Sequence, residues 1–378
     1  MNCASTTHKE RVLRALSHSE ADRVPFDLGG INNTTMHVEV EKRLCKHLSL
    51  PLQESRIGAR DQQIVIPCED LLRYFDVDTR SIYLKECREW EFRDGIYYDQ
   101  FGIGRRYDNF YYTMCSHPLQ KADSIEEIDA YELPDPLSPK RLDGLVEEAK
   151  IYHKEYFTIL EGLREVLFGL PSWIRGMEKF YMDLLLNPVF ADRLLEKILS
   201  WELQMLKYIL DRLHPYLDMV KIADDLGTQQ SLLISPDVYR EFIKPRHKRL
   251  ISFIKNEYGL PVLLHSCGAV RPLIPDFIEI GVDALNPVQI TAAGMDRKSL
   301  KEEFGPAICF WGGGIDTQKI LPKGTKKEIM EDVKEALDIF KQGGGYVFSQ
   351  IHNIQPDVPV ENIVIMYEAF NEYATYER

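Results

Sequence analysis

The sequence has no long run of lysine or arginine, no CxxC spacing and no uncharged apolar stretch long enough to cross a bilayer. Each absence removes a class of function. With 46 basic against 59 acidic residues the formal net charge is -13, so the chain repels phosphate backbones and no nucleic-acid partner is expected. No membrane partner is expected either. The seven cysteines (Cys3, Cys45, Cys68, Cys87, Cys115, Cys267 and Cys309) are odd in number and irregular in spacing, which argues against a disulfide framework and for a reducing compartment. Met1 to Glu10 is polar and lacks an apolar signal core, so a cytoplasmic location is the expectation. There is no GxGxxG after a first strand and no GxxxxGK[ST], and Gly312-Gly313-Gly314 is too short for a nucleotide loop.

What is present is an alternation of short apolar runs with amphipathic segments. Val12, Leu13 and Leu16 stand at helical spacing within residues 8–18, and Val24-Pro25-Phe26-Asp27-Leu28 reads as a strand stopped by Gly29-Gly30. From roughly residue 60 to 120 the pattern changes to short strands, among them Ser81–Leu84, Trp90–Phe92 and Gly95–Tyr98. This stretch is rich in aromatics between Tyr97 and Tyr112. It is either a small β-insertion with its own core or a cap over an apolar or aromatic ligand. After residue 140 strands are expected at Tyr156–Leu160, Asp218–Ala223, Pro261–His265, Val282–Asn286, Ala307–Trp311 and Tyr346–Ser349, with helices between them and a terminal helix from about Glu361.

Repeated strand–helix units imply a parallel sheet, and short runs apolar throughout imply that both its faces are buried. Polar residues recur at the C-terminal ends of these strands: Asp224 and Asp225, His265 and Cys267, Asn286 and Gln289, then Ser349 and His352. An open sheet gathers function at one switch point, whereas a barrel mouth collects it from many strands. The expected fold is a single (β/α)8 TIM-barrel domain over residues 1–378, with the β-rich insertion at about 60–120 capping its mouth.

Within His265-Ser266-Cys267-Gly268, an imidazole and a thiol two residues apart past a strand end can face the same side and share one Zn2+. The bland alternative is a buried histidine and an inert cysteine in a loop. A third ligand must come from elsewhere: His352 lies on the correct face, while Cys309, Asp225 and Glu161 are rivals. The pair Asp224-Asp225 would need a cation, a basic group or a shared proton, unless one member braces the loop and the other is solvated. Asn286 and Gln289 carry amides that either orient a polar ligand or satisfy loop backbone.

Several blocks in order give the chain a family resemblance. They include Arg11–Leu16, Asp22-Arg23-Val24-Pro25, Tyr98-Asp99-Gln100-Phe101-Gly102, Ala223–Gln229, Ser235-Pro236, Gly281–Gln289, Gly313–Asp316 and Pro356–Asn362. Over nearly its whole length the chain resembles the uroporphyrinogen decarboxylase superfamily, which implies the (β/α)8 fold. True decarboxylases carry arginines in the loop after the block matching Arg23-Val24-Pro25. Here that loop, Asp27 to Asn33, has none, although a site for many carboxylates should be basic. The His265-Ser266-Cys267-Gly268 motif instead resembles the methyltransferase branch, where HxC and a distant cysteine hold zinc. The position of that cysteine corresponds to His352, so the ligands implied are His265, Cys267 and His352. The resemblance implies zinc as cofactor, a methylcobamide or other corrinoid carried by a partner protein, and a small methyl donor or acceptor. Zinc there either lowers the pKa of a thiol acceptor or polarises an ether oxygen, and the aromatic stretch suits a methoxylated aromatic. Asp225, His265 and Cys267 are the expected catalytic residues; Asp224, Gln229, Asn286, Gln289 and Tyr98 are the expected substrate-facing ones. The alternatives are a metal-independent decarboxylase and a corrinoid- or tetrapyrrole-binding protein without catalysis.

Overall fold

Segments apolar on both faces become parallel strands. The computed structural model describes residues 6–376; Cys3 and the polar start Met1–Ser5 lie outside the described residues. A hairpin of Arg56–Ala59 (β1) and Ile64–Ile66 (β2) precedes Thr79–Tyr83 (β3). Glu91–Arg93 (β4), Ile96–Tyr98 (β5), Gly104–Asp108 (β6) and Tyr111–Ser116 (β7) form a four-stranded antiparallel sheet. Phe157–Glu161 (β8), Met219–Ala223 (β9), Val262–His265 (β10), Ala284–Asn286 (β11), Cys309–Trp311 (β12) and Tyr346–Val347 (β13) join β3 in a parallel sheet of order β13-β12-β11-β10-β9-β8-β3.

Residues 25–27 close this sheet on itself. Asp27 N donates to Phe348 O, Phe348 N to Pro25 O and Asp78 N to Phe26 O, each at 2.9 Å. The expected first strand is thus the eighth stave, and the fold is the expected (β/α)8 barrel. Helices such as Pro188–Leu213, Lys244–Tyr258 and Lys326–Phe340 cover the outside. The last of them starts at a capping box between Thr325 and Glu328.

Period-two alternation sorts the strand residues. Ile159, Met219, Leu263, Ala284, Cys309 and Trp311 pack together inside the barrel, while their neighbours Leu160, Val220, Leu264, Leu285 and Phe310 belong to the outer core. Continuing that alternation by two residues places Glu161, His265 and Asn286 inward, one layer nearer the mouth. Lys221, paired with Leu263, shares the inward face, and His265 pairs directly with Asn286.

The β-rich insertion is smaller than the sequence reading drew it. Of Ser81–Leu84, expected as part of it, Ser81–Tyr83 belong to barrel strand β3, which pairs in parallel with β8. Arg80 of this strand is buried between Glu69 and the face of Tyr156, 3.5 Å from the ring centroid. The sheet of β4–β7 is tied to two loops outside the barrel strands. Tyr112 N donates to Asp61 O at 2.8 Å on one side, and Tyr111 Oη bonds Gln355 Oε1 in the loop after β13 on the other. Among the described residues no helix is long and apolar enough to cross a membrane.

Candidate metal centre

The loop after β10 is held from both sides. His265 is fully buried, and its Nδ1 lies 2.5 Å from Asn286 Oδ1. Asn286 Nδ2 donates to Trp311 O at 2.8 Å, which fixes the amide so that its oxygen accepts. The proton of His265 therefore sits on Nδ1 and the lone pair on Nε2, facing the cavity side. Cys267 N donates to Asp225 Oδ1 and Gly268 N to Gln289 Oε1, both at 2.8 Å. Gly268 is obligatory: its φ is +86°, and a Cβ there would stand 2.4 Å from the carbonyl carbon of Gly227.

Cys267 Sγ lies 3.4 Å from His265 Nε2, and the loop after β13 brings in His352, its ring centroid 5.6 Å from that of His265. One ligand atom from each of His265, Cys267 and His352 falls within 4.8 Å of the others. Burial pushes His265 down to about 3 and lowers His352, the positive charge of Lys221 adding to both against the pull of Asp225. Burial, with Asp225 and Glu165, raises the Cys267 thiol well above its ordinary value. Two imidazoles kept neutral and a thiol are a donor set suited to Zn2+, whose charge would deprotonate the thiol. Carboxylate neighbours that disfavour the lone thiolate favour a divalent cation. The residues present fit the ion.

Asp225, half-exposed, also lies 3.6 Å from His265 Nε2, so the structure brings Asp225, His265, Cys267 and His352 together. Other expected residues are placed differently. Asp224 does not face a substrate: it is fully buried, accepting from the backbone of Leu167, Phe168 and Gly169 at 2.8 Å each and lying 2.7 Å from His247 Nε2. Asn286 and Gln289 brace the end of β10 and the loop after it, Asn286 Oδ1 against His265 Nδ1 and Gln289 Oε1 accepting from Gly268 N. Tyr98 is not in the cavity wall; it sits in β5 beneath Arg93, whose guanidinium lies 4.6 Å from the ring centroid. Gln229 is half-buried, its carbonyl accepting from Ala293 N at 2.9 Å. Of the rival ligands, Cys309 is packed inside the barrel with its thiol pushed up to about 12 by burial. Glu161 is committed to Asn32 N, Gly162 N and Lys221 Nζ.

Two residues, Asn33 and Glu165, had no role in the sequence reading. The loop 29–35 folds over the barrel top, anchored by buried Asp27, which accepts from Gly30 N, Thr34, Thr79 and Trp311 Nε1. It delivers Asn33, whose Nδ2 is 3.1 Å from His265 Nε2 and 3.4 Å from His352 Nε2. Polar Asn32-Asn33 just past the first stave is the same strand-end signal that singled out His265. Glu165, four residues past β8, accepts from Asp225 N at 3.1 Å, and burial together with Asp225 and Asp224 pushes its carboxyl well above the usual range. Glu165 also lines a cavity of about 910 Å3 beneath the four-stranded sheet, which Trp90, Trp173, Phe101 and Tyr112 help to wall.

Comparison with known proteins agrees with this architecture. A uroporphyrinogen decarboxylase (URO-D) family model matches residues 112–373, well over half of the chain. Uroporphyrinogen decarboxylase of Legionella pneumophila (strain Lens) is 25% identical over 283 residues, covering 72% of this chain and 75% of its own. Methylcobamide:CoM methyltransferase MtaA of Methanosarcina barkeri is 26% identical over 156 residues, 41% of this chain and 42% of its own. A solved methyltransferase from Methanosarcina mazei superposes with a TM-score of 0.68 at 20% identity, covering 98% of this chain and 99% of that one, a likeness of fold. The chain belongs to the uroporphyrinogen decarboxylase (URO-D) family.

Proposed function

We propose that this protein is a zinc-dependent methyltransferase that moves a methyl group between a small substrate and a corrinoid carried by a partner protein. The observation that carries the reading is the convergence of His265 Nε2, Cys267 Sγ and a His352 nitrogen at the barrel mouth. When bound, zinc supplies Lewis acidity toward a substrate oxygen or sulfur. The chain's own residues prepare the place. Asn286 holds the His265 proton on Nδ1, and Asp225 and Gln289 fix the turn that presents Cys267. Asp225 and Gln229 are the groups proposed to face substrate. The cavity under the cap, with its tryptophans, suits a planar apolar body such as a methoxylated aromatic.

The test is methyl transfer to a reduced corrinoid protein from a panel of aryl methyl ethers, and from the methylated corrinoid protein to thiols. Transfer by the wild type and its loss in Cys267→Ala are expected; no transfer with any member counts against the reading. A decarboxylase is the second reading, favoured by the guanidinium groups of Arg56, Arg60, Arg88 and Arg141 around the same cavity. The neutral loop at Asn32-Asn33 and the commitment of Arg105 and Arg164 to Asp61 weigh against it. Turnover of a porphyrinogen undiminished by a chelator would favour it. Corrinoid binding without turnover, unchanged by Cys267→Ala, would mark a binding protein.

A further inference from the structure

Among the amides around His265, Asn33 is left half-satisfied at its oxygen. Both ends of Asn286 are engaged, and Asn32 Oδ1 accepts from Lys221 Nζ at 2.8 Å. Asn33 is 6% exposed, its Nδ2 reaches the Nε2 atoms of both histidines, and its Oδ1 is buried with no partner. A buried carbonyl oxygen without a donor calls for an explanation. The loop that carries it is not free to swing it away. Asp27 ties this loop to Thr79 and Trp311, and Gly30 is packed so tightly that a Cβ would stand 2.4 Å from Thr79 Oγ1.

We propose that Asn33 supplies the fourth, oxygen ligand of the metal centre, a reading that rests on the zinc assignment above. Without an ion, the amide nitrogen donates to the lone pairs of His265 and His352. An ion takes both lone pairs, so the amide N–H groups lose their acceptors and face positive charge. A half-turn about the Cβ–Cγ side of the amide exchanges nitrogen for oxygen in nearly the same volume, and the unpartnered oxygen then meets the cation. The donor set would then be two imidazole nitrogens, one thiolate and one neutral carboxamide oxygen, four donors of the kinds that hold Zn2+. A neutral amide is the weakest donor of the four and so the one that an incoming substrate oxygen or sulfur displaces. Asn33 is thereby a ligand that holds the position until substrate arrives.

The experiment is Zn2+ titration of the metal-free full chain against a competing chelator, for wild type, Asn33→Ala, Asn33→Leu and Asn33→Asp, with far-ultraviolet circular dichroism on each. The Ala and Leu variants are expected to bind Zn2+ about tenfold to a hundredfold more weakly. Asp, of the same shape with an obligatory oxygen donor, is expected to bind at least as tightly as wild type, which separates a lost ligand from lost packing. In Co2+-loaded protein, solvent-water proton relaxation should be low in wild type and rise in Asn33→Ala as water enters. Equal Zn2+ affinity in all four proteins, or wild-type relaxation already as high as that of Asn33→Ala, overturns the role of Asn33 and leaves the metal centre standing. A wild type that binds no Zn2+ removes both.

Discussion

On one side of the barrel mouth, His265, Cys267, His352 and Asn33 are neutral groups that meet one another, with Asn33 Oδ1 left over. On the other side, beneath the four-stranded sheet, the cavity is lined by charged groups of which some are paired, Arg105 and Arg164 with Asp61 and Arg105 also with Asp99, while Glu202 keeps Oε2 unpartnered. A site for a soft cation must keep its imidazoles uncharged, and burial does so. A site for an organic ligand can be roomy and internally paired, because shape and aromatic surface do the selecting. The same contrast recurs within one dipeptide. Asp224 is spent on three backbone N–H groups and His247, whereas Asp225 stays half-exposed between the loop and the metal-facing atoms.

That contrast can be broken most forcefully at Asp224. Asp224→Ala leaves three buried N–H donors and His247 without an acceptor and is expected to cost about 3–5 kcal/mol in urea unfolding. Asp225→Ala should cost less than about 1 kcal/mol while weakening Zn2+ binding. Equal costs would show that the two carboxylates are not divided between structure and site.

The charged side yields a pH prediction at Glu202, which lines the cavity with Oε2 unpartnered. Burial raises its carboxyl from 4.5 to about 8, opposed by Arg141. The folded state then holds its proton more tightly than the unfolded one. Its contribution is complete below 4.5 and is lost as pH rises toward 8, on the order of a few kcal/mol. Glu202→Gln should flatten the fall in stability across that window; an unchanged pH profile would show that Glu202 ionises normally.

A milder change sharpens the metal side. Asn286→Ala frees the His265 ring without removing a ligand and should weaken Zn2+ binding by about tenfold to a hundredfold. The smallest effect is expected on the outer face of the cap. Phe92 is 61% exposed, and Phe92→Ser should change stability by no more than about 0.5 kcal/mol and leave Zn2+ affinity intact.

Much of the barrel was legible because parallel strands buried on both faces leave short apolar runs. Glu161, His265 and Asn286 were legible as polar strand ends because alternation carries them inward beyond the apolar layer. Local reading failed where a long-range partner decides the outcome. Arg80 in β3 argues for exposure until Glu69 and Tyr156 cover it. Asp224 and Asp225 are chemically identical, and only the backbone of residues 167–169, far away in the chain, tells them apart. Asn33, in a Gly-Gly-Ile-Asn-Asn run, reads as an ordinary turn, since nothing nearby shows that Asp27 pins that turn over His265. The amides of Asn286 and Gln289 left two roles open, and the choice depended on which loop stood opposite them.

The most direct measurement is elemental analysis of full-length protein purified without chelator, for wild type, Cys267→Ala and His352→Ala in parallel. The expected result is about one zinc per chain in wild type and a near-complete loss in both variants, with the fold retained. Wild type free of metal after zinc supplementation, or variants that keep a full complement, would contradict a centre built on His265, Cys267 and His352.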